Sequence, residues 1–491
     1  MTRPLDGAVG APGRDSEAYR LMRAGRLLEA LPIAEQAVDN AQVCSEAHGM
    51  LAGILIQLGR AQAADAVVRA ALALPAGDAA AYDGLAYASM LLNRHDRANE
   101  LYRRATALAP GRPQHWYNLA CSERSLGRLE AAAAACDRCI GLDPAAYSTY
   151  LLRSELRMQT NTDNHVGELQ ARLSQPGLDA RARAYLGYAL AKELDDLGRI
   201  DAAFDGFRDA ARARRSQLRY DVASDERTLQ RLAATFSNVE LPRGRETDGA
   251  ACIFIVGLPR SGTTLLERIL GGLPGVHSNG ETHNFSRALT AAAPTGGDGF
   301  ERAAQADPRA VGAHYARLAG VKASNCRVIE KLPTNYLYLG AIRRALPAAS
   351  ILLVARSPLD SCFAMFRTLF GDAFPFTYDF QELARYYAAH QRLMMHWRSL
   401  LGATLHEVLY EDLVRDPRRE GARAAEHCGL SWNDTAVDII NNLSVSLTAS
   451  AAQVRRPIYG SSTDRWRQYH RHLVPLIGAL RRHGVAVPAD A

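Results

Sequence analysis

The chain has 491 residues, 48% hydrophobic and 22% charged, which is ample core for about two to four domains; its net charge of +6 suits anionic ligands without demanding nucleic acid. No run of about 18 uncharged apolar residues occurs, which argues against a transmembrane helix. Eight scattered cysteines argue against a disulfide framework and for a reducing cytoplasm.

Residues 1–14 lack an apolar signal core and read as a flexible tail. A Gly-Arg or Asn-Arg pair then recurs at Gly25, Gly59, Asn93 and Gly127, each step 34 residues, with Ala30, Ala64, Ala98 and Ala132 shortly after. The phase slips to Asn164 and resumes at Gly198, so residues 15–215 hold five to six units. A fixed period of this length marks stacked helical pairs that bury a continuous core only together. The pattern in WYNLACSERSLGRLEAAAAACDRCIGLDP (116–144) resembles the tetratricopeptide repeat family. That resemblance implies an all-α superhelix whose concave face takes a protein or peptide segment, against the plainer role of spacer or oligomerisation arm. Cys136 and Cys139 form a lone C-x-x-C inside an alanine-rich helix and read as structural filler.

Residues 216–249 carry Pro, Gly and charge and read as a linker, with Arg212, Arg214 and Arg215 before it as a solvated helix face. From 250 to 485, strands and helices alternate, which predicts an α/β domain with a mostly parallel sheet. Its first unit is ACIFIVGLPRSGTTLLERIL (251–270): a buried strand over Ile253–Val256, a glycine-rich turn, then a helix. Such a turn aims backbone N–H groups and a helix dipole at one point and makes an anion site. The spacing Gly257-x-x-x-x-Gly262 is that of a phosphate loop, but Thr263 and Thr264 stand where a nucleotide triphosphatase has Lys and Ser or Thr. Arg260 can supply the missing charge, since a guanidinium forks onto phosphate-type oxygens without a metal.

Residues 291–315 are rich in Ala, Gly and Pro and read as an irregular, mobile insertion. Further strands are expected at Arg327–Lys331, Ser350–Ala355 and His406–Tyr410. In open α/β sheets ligands bind beyond the carboxyl ends of the strands, and Arg260–Thr264, Lys331, Arg356 and Tyr410 all fall at such ends.

These segments, with the late QVRRP and RW pieces, resemble the sulfotransferase superfamily, which uses 3′-phosphoadenosine 5′-phosphosulfate (PAPS). The pattern is similar above all to tyrosylprotein sulfotransferases and bacterial relatives with attached repeats, over about 250–475. The resemblance implies that Pro259, Arg260, Ser261, Gly262, Thr263 and Thr264 bind the 5′-phosphosulfate. It puts the general base at Glu281 in Asn279-Gly280-Glu281-Thr282, although a gapless alignment would put it on Gly280. It makes Lys331 catalytic with Arg260, and gives Arg356 the 3′-phosphate. Tyr410, Ser450, Arg455 and Arg465 would complete the donor site. The family's serine eight residues after that arginine is Ala364 here, and Ser361 or Arg367 could stand in.

The chemistry fits these residue types. Sulfuryl transfer, like phosphoryl transfer, is nearly all positioning and electrostatics. A phenol with pKa about 10 gains from a base near neutral pH. His277 and His283 flank Glu281 without metal-ligand spacing, so no metal is expected. The expectation is a PAPS-dependent sulfotransferase releasing 3′,5′-ADP, its acceptor a hydroxyl and above all tyrosine in a protein or peptide. A glycan, lipid or small phenol is the alternative acceptor. Phosphoryl transfer, or a repeat scaffold with a vestigial nucleotide domain, is the alternative function. Oligomeric state is open and leaves room for a homodimer.

Overall fold

The structure, a computed structural model, describes residues 17–237, 248–294, 296, 298–321, 326–439, 458 and 463–488. The tail at 1–14 lies outside them. The chain divides into two compact units, Met1–Met158 and Gln159–Ala491.

The first unit is a run of helical pairs: Glu17–Arg23 with Leu27–Asp39, Glu46–Gln57 with Ala61–Ala73, Ala79–Leu91 with His95–Leu108, and Pro113–Leu126 with Leu129–Leu142, then Tyr147–Glu155. The recurring pair has a conformational cause. Gly25, Gly59, Asn93 and Gly127 all have φ between 59° and 79°, a left-handed conformation that costs most residues roughly 1–2 kcal/mol. The next amide (Arg26, Arg60, Arg94 or Arg128) then bonds a carbonyl five residues back, which closes the first helix of each pair. Ala30, Ala64, Ala98 and Ala132 are at most 1% exposed, so the alanine of each unit is the small residue that lets its helices approach. The same turn recurs in the second unit at Gly198, between Ala180–Asp196 and Ile200–Arg215.

The second unit holds a five-stranded parallel sheet: β1 (Cys252–Gly257), β2 (Val276–Ser278), β3 (Arg327–Lys331), β4 (Ser350–Ala355) and β5 (Leu405–Leu409), in the order β2-β3-β1-β4-β5. Helices cover both faces. Ile253 and Ile255 of β1 join Leu266, Ile269 and Leu270 of helix Thr263–Gly271 and Ala424 and Ala425 of Pro417–His427. Phe254, one residue out of phase, packs on Phe285 and Tyr315 from the opposite layer. Strand alternation carries the same division onto β3, so Lys331 and Glu330 point to opposite faces.

Three expectations need correction. The described residues from 298 to 315 are not irregular: helices Gly299–Gln305 and Pro308–Ala319 start there, each begun by an Asp298 or Asp307 side chain that accepts from backbone amides two and three residues on. The linker span contains helix Val222–Ser237, which buries Leu229, Leu232 and Phe236; Phe236 meets Trp397 of the long helix Phe380–Leu401 edge-on at 5.8 Å. Of the arginines read as solvated, only Arg212 is well exposed; Arg214 pairs with Asp372, and Arg215 forks onto Glu382 at 2.7 Å. No helix among the described residues is long and apolar enough to cross a membrane.

Candidate active site

Parallel strands with intervening helices leave one edge of the sheet open, and the loop after β1 sits at its centre because β1 is the middle strand. Gly262, the N-cap of the following helix, has φ 104°, and a Cβ there would fall 2.3 Å from the ring of Tyr410. Glycine is therefore required both by backbone and by space. Arg260 has φ 67°, one of three non-glycine residues with positive φ among those described. Ser261, Thr263 and Thr264 are buried, and the Ser261 hydroxyl has no hydrogen-bond partner among the described residues. A buried hydroxyl at the mouth of a helix N-terminus, beside amides that lack intrahelical acceptors, is a fit for an oxyanion.

β3 delivers Lys331. The ammonium is fully buried, donates to Glu281 Oε1 at 2.6 Å and lies 3.4 Å from Glu267 Oε2. Glu281 reaches it because the turn after β2 continues the ladder: Asn279 N donates to the Ile329 carbonyl at 2.8 Å, and Lys331 N to the Gly280 carbonyl at 3.0 Å. Gly280 itself, φ 66°, offers only backbone. Glu267 lies one turn after Thr263 on the loop's helix, and the Ser278 hydroxyl donates to its Oε1 at 2.5 Å. Gly280 N in turn donates to Ser278 Oγ at 3.0 Å.

On the other face, Glu330 is fully buried, and that burial pushes its carboxyl up to about 7. Its Oε1 accepts from Asn335 Nδ2 at 3.1 Å and from Phe285 N at 3.4 Å. It thereby fixes the start of helix Asn284–Ala292, which begins three residues after Glu281.

One residue past the end of β4 stands Arg356, whose Nη1 donates to the Arg260 carbonyl at 3.0 Å and whose guanidinium stands 4.7 Å from the centroid of the Tyr410 ring. Tyr410 opens helix Tyr410–Arg415, one residue beyond β5, and so covers Gly262 and Arg356 together. Glu411 Oε1 accepts from Ser357 N at 2.9 Å and pins the turn that carries Arg356. The structure thus gathers Pro259–Thr264, Glu281, Lys331, Arg356 and Tyr410 along one sheet edge.

The other candidates for the donor site have contacts of their own where they are described. Ser361 is buried and turns its hydroxyl back to the Arg356 carbonyl at 3.3 Å. Arg367 and Arg465 are both held by Asp195 of helix Ala180–Asp196, at 3.3 and 2.5 Å, with Tyr469 donating to the same carboxylate. Both arginines thus share one buried carboxylate, a contact that the sequence reading did not include. Asp360 accepts from Asp464 N and Trp466 N and tethers that segment. Ser450 and Arg455 lie outside the described residues. Sequence reasoning missed Glu267 and Ser278. Glu267 is the one acidic residue inside an apolar helix, and its position four after Thr263 was the available signal.

Comparison with known proteins agrees with the architecture. Residues 252–434 match the sulfotransferase family and residues 114–145 a tetratricopeptide repeat. An uncharacterized protein of Aquifex aeolicus (strain VF5) is 28% identical over 373 residues, covering 73% of this chain and 49% of its own length, so the chain spans about half of that relative. Among solved structures, the sulfotransferase domain of the Synechococcus PCC 7002 olefin synthase is 20% identical over 51% of this chain and all of its own, with a TM-score of 0.35. A sulfotransferase from Alicyclobacillus acidocaldarius is 19% identical over 48% of this chain and 96% of its own, with a TM-score of 0.27. The sulfotransferase family match thus falls inside the second unit, and the tetratricopeptide match on helices Pro113–Leu126 and Leu129–Leu142 of the first.

Proposed function

We propose that the chain transfers a sulfuryl group from PAPS to an acceptor hydroxyl, with tyrosine in a protein or peptide as the acceptor class. One observation carries the catalytic part: a wholly buried lysine shared by two carboxylates beside an oxyanion loop. The Ser261 hydroxyl, the loop amides and Arg260 fit the 5′-phosphosulfate. Arg356, stacked on Tyr410 and bonded to the loop, fits the second phosphate.

Glu281 takes the acceptor proton as the acceptor oxygen bonds to sulfur. The bond between sulfur and the phosphate oxygen breaks, and its electron pair stays on the departing 3′,5′-ADP. Lys331 stabilises that charge, in a site whose burial strengthens the interaction. The helical pairs support the peptide part of the proposal, since a stacked array presents an extended surface to a chain. Titrating the protein with 3′,5′-ADP, and separately with ATP and magnesium, while following its thermal unfolding tests the donor. Stabilisation by ATP and magnesium alone would replace sulfuryl with phosphoryl transfer. Incubation with labelled PAPS and a cell extract tests the acceptor: label on protein tyrosine supports it, and label confined to glycan, lipid or small phenols overturns it.

A further inference from the structure

The sulfuryl-transfer proposal asks two incompatible things of Glu281. It must neutralise Lys331, from which it lies 2.6 Å, and it must accept a proton from the acceptor, which removes its charge. A fully buried ammonium that lost its counter-charge during the reaction would be expensive to keep. Glu267 resolves the conflict. Its carboxylate is 3.4 Å from the same ammonium, on the loop's own helix, and is oriented by the Ser278 hydroxyl at 2.5 Å. Ser278 is oriented in turn by Gly280 N, next to Glu281 in the chain.

We propose that Glu267 is a positioning residue for sulfuryl transfer: it holds the Lys331 side chain in place while Glu281 leaves the ion pair to act as base, with Ser278 setting its direction. Glu267 itself touches neither donor nor acceptor; it acts through Lys331. This role rests on the sulfuryl-transfer proposal.

The test measures transfer from PAPS to 4-nitrophenol. Glu267→Gln keeps the shape and removes the charge. It should lower kcat by about ten- to a hundredfold while KM for PAPS stays within about threefold. A double-mutant cycle separates this from structural damage. On a Lys331→Met background the same substitution should cost less than about twofold, because the group it serves is gone. Equal losses on both backgrounds, or no loss on either, overturn the role. Ser278→Ala gives a second handle should Glu267→Gln fold poorly by circular dichroism. It should lose kcat more mildly, and Ser278→Thr, which restores a hydroxyl, should recover it; failure of that recovery counts against the role. If the unaltered chain neither binds 3′,5′-ADP nor transfers to the phenol, the sulfuryl-transfer proposal falls and takes this one with it. Normal binding and transfer with an indifferent Glu267→Gln sinks the positioning role alone.

Discussion

Lys331 and Glu281 face each other across 2.6 Å, the lysine at the end of β3 and the glutamate in the turn after β2, although 50 residues separate them in the chain. The pairing puts a candidate base against a candidate stabiliser of the leaving group. Glu281→Gln retains a hydrogen-bond acceptor for Lys331 but cannot take a proton. Turnover with PAPS and 4-nitrophenol should fall by roughly 10²–10⁴-fold while 3′,5′-ADP still raises the melting temperature. Near-normal turnover would move the base elsewhere.

Arg356 supports a second expectation. Its guanidinium bonds the loop carbonyl of Arg260 and stacks on Tyr410, which holds it in one orientation. 3′,5′-ADP should bind more tightly than 5′-AMP by roughly 1.5–3 kcal/mol, the size of a charge-assisted contact. Arg356→Ala should shrink that gap, and calorimetry on the two nucleotides measures it. Equal affinities in the unaltered chain would remove Arg356 from the phosphate.

The legible part of the site is the part written in local pattern. The loop after β1 announces itself because glycine, arginine and hydroxyl residues must follow a buried strand in that order, and Arg356 because a strand as plain as SILLVA ends on it. The fold followed from the same alternation, and the repeats from their turn glycines. What stayed hidden depends on partners far off in sequence. The hold of Asp195 on Arg367 and Arg465, 172 and 270 residues away in the chain, is one example. Helix Val222–Ser237 was hidden by the charged residues on its exposed face, and helices Gly299–Gln305 and Pro308–Ala319 by weak propensity offset by aspartate caps.

The Asp195 cluster predicts a separation of stability from binding. Burial alone would raise this carboxyl; the Arg367 and Arg465 guanidiniums and the Tyr469 hydroxyl outweigh it and hold it below the ordinary aspartate value. Asp195→Ala strands two arginines and should cost about 3–5 kcal/mol of stability. Arg367→Gln should lower the melting temperature too, yet leave the ratio of 3′,5′-ADP to 5′-AMP affinity unchanged. A collapse of that ratio would return Arg367 to the donor site.

Glu330 makes stability depend on pH in a stated direction. Its folded value of about 7 exceeds the ordinary 4.5. The stability it contributes is therefore complete below about 4.5 and lost as pH rises through about 7, a swing of roughly 3 kcal/mol. Relative to Glu330→Gln, the unaltered chain should be more stable at pH 5 than at pH 8. A difference in melting temperature that stays constant over that range would mean the carboxyl titrates normally.

The division of the chain at Met158 fixes how the repeats must be tested. Helices Ala180–Asp196 and Ile200–Arg215 belong to the same compact unit as the sheet, and Asp195 and Arg215 bind Arg465 and Glu382 there. A deletion of residues 1–210 would remove Asp195 and strand Arg367 and Arg465, so it should unfold the sheet unit or aggregate. Deletion of residues 1–158 removes only the first unit. That shorter chain should show a normal circular dichroism spectrum for its length and unaltered 3′,5′-ADP binding. If the first unit captures the acceptor, it raises the local concentration of a hydroxyl at Glu281 and does nothing for a small phenol at saturating concentration. The truncated chain should then lose about ten- to a hundredfold in kcat/KM for a long protein acceptor and keep its rate on 4-nitrophenol. Equal losses on both substrates would mean the first unit supports the site itself. No loss on either would make it a spacer or an assembly arm.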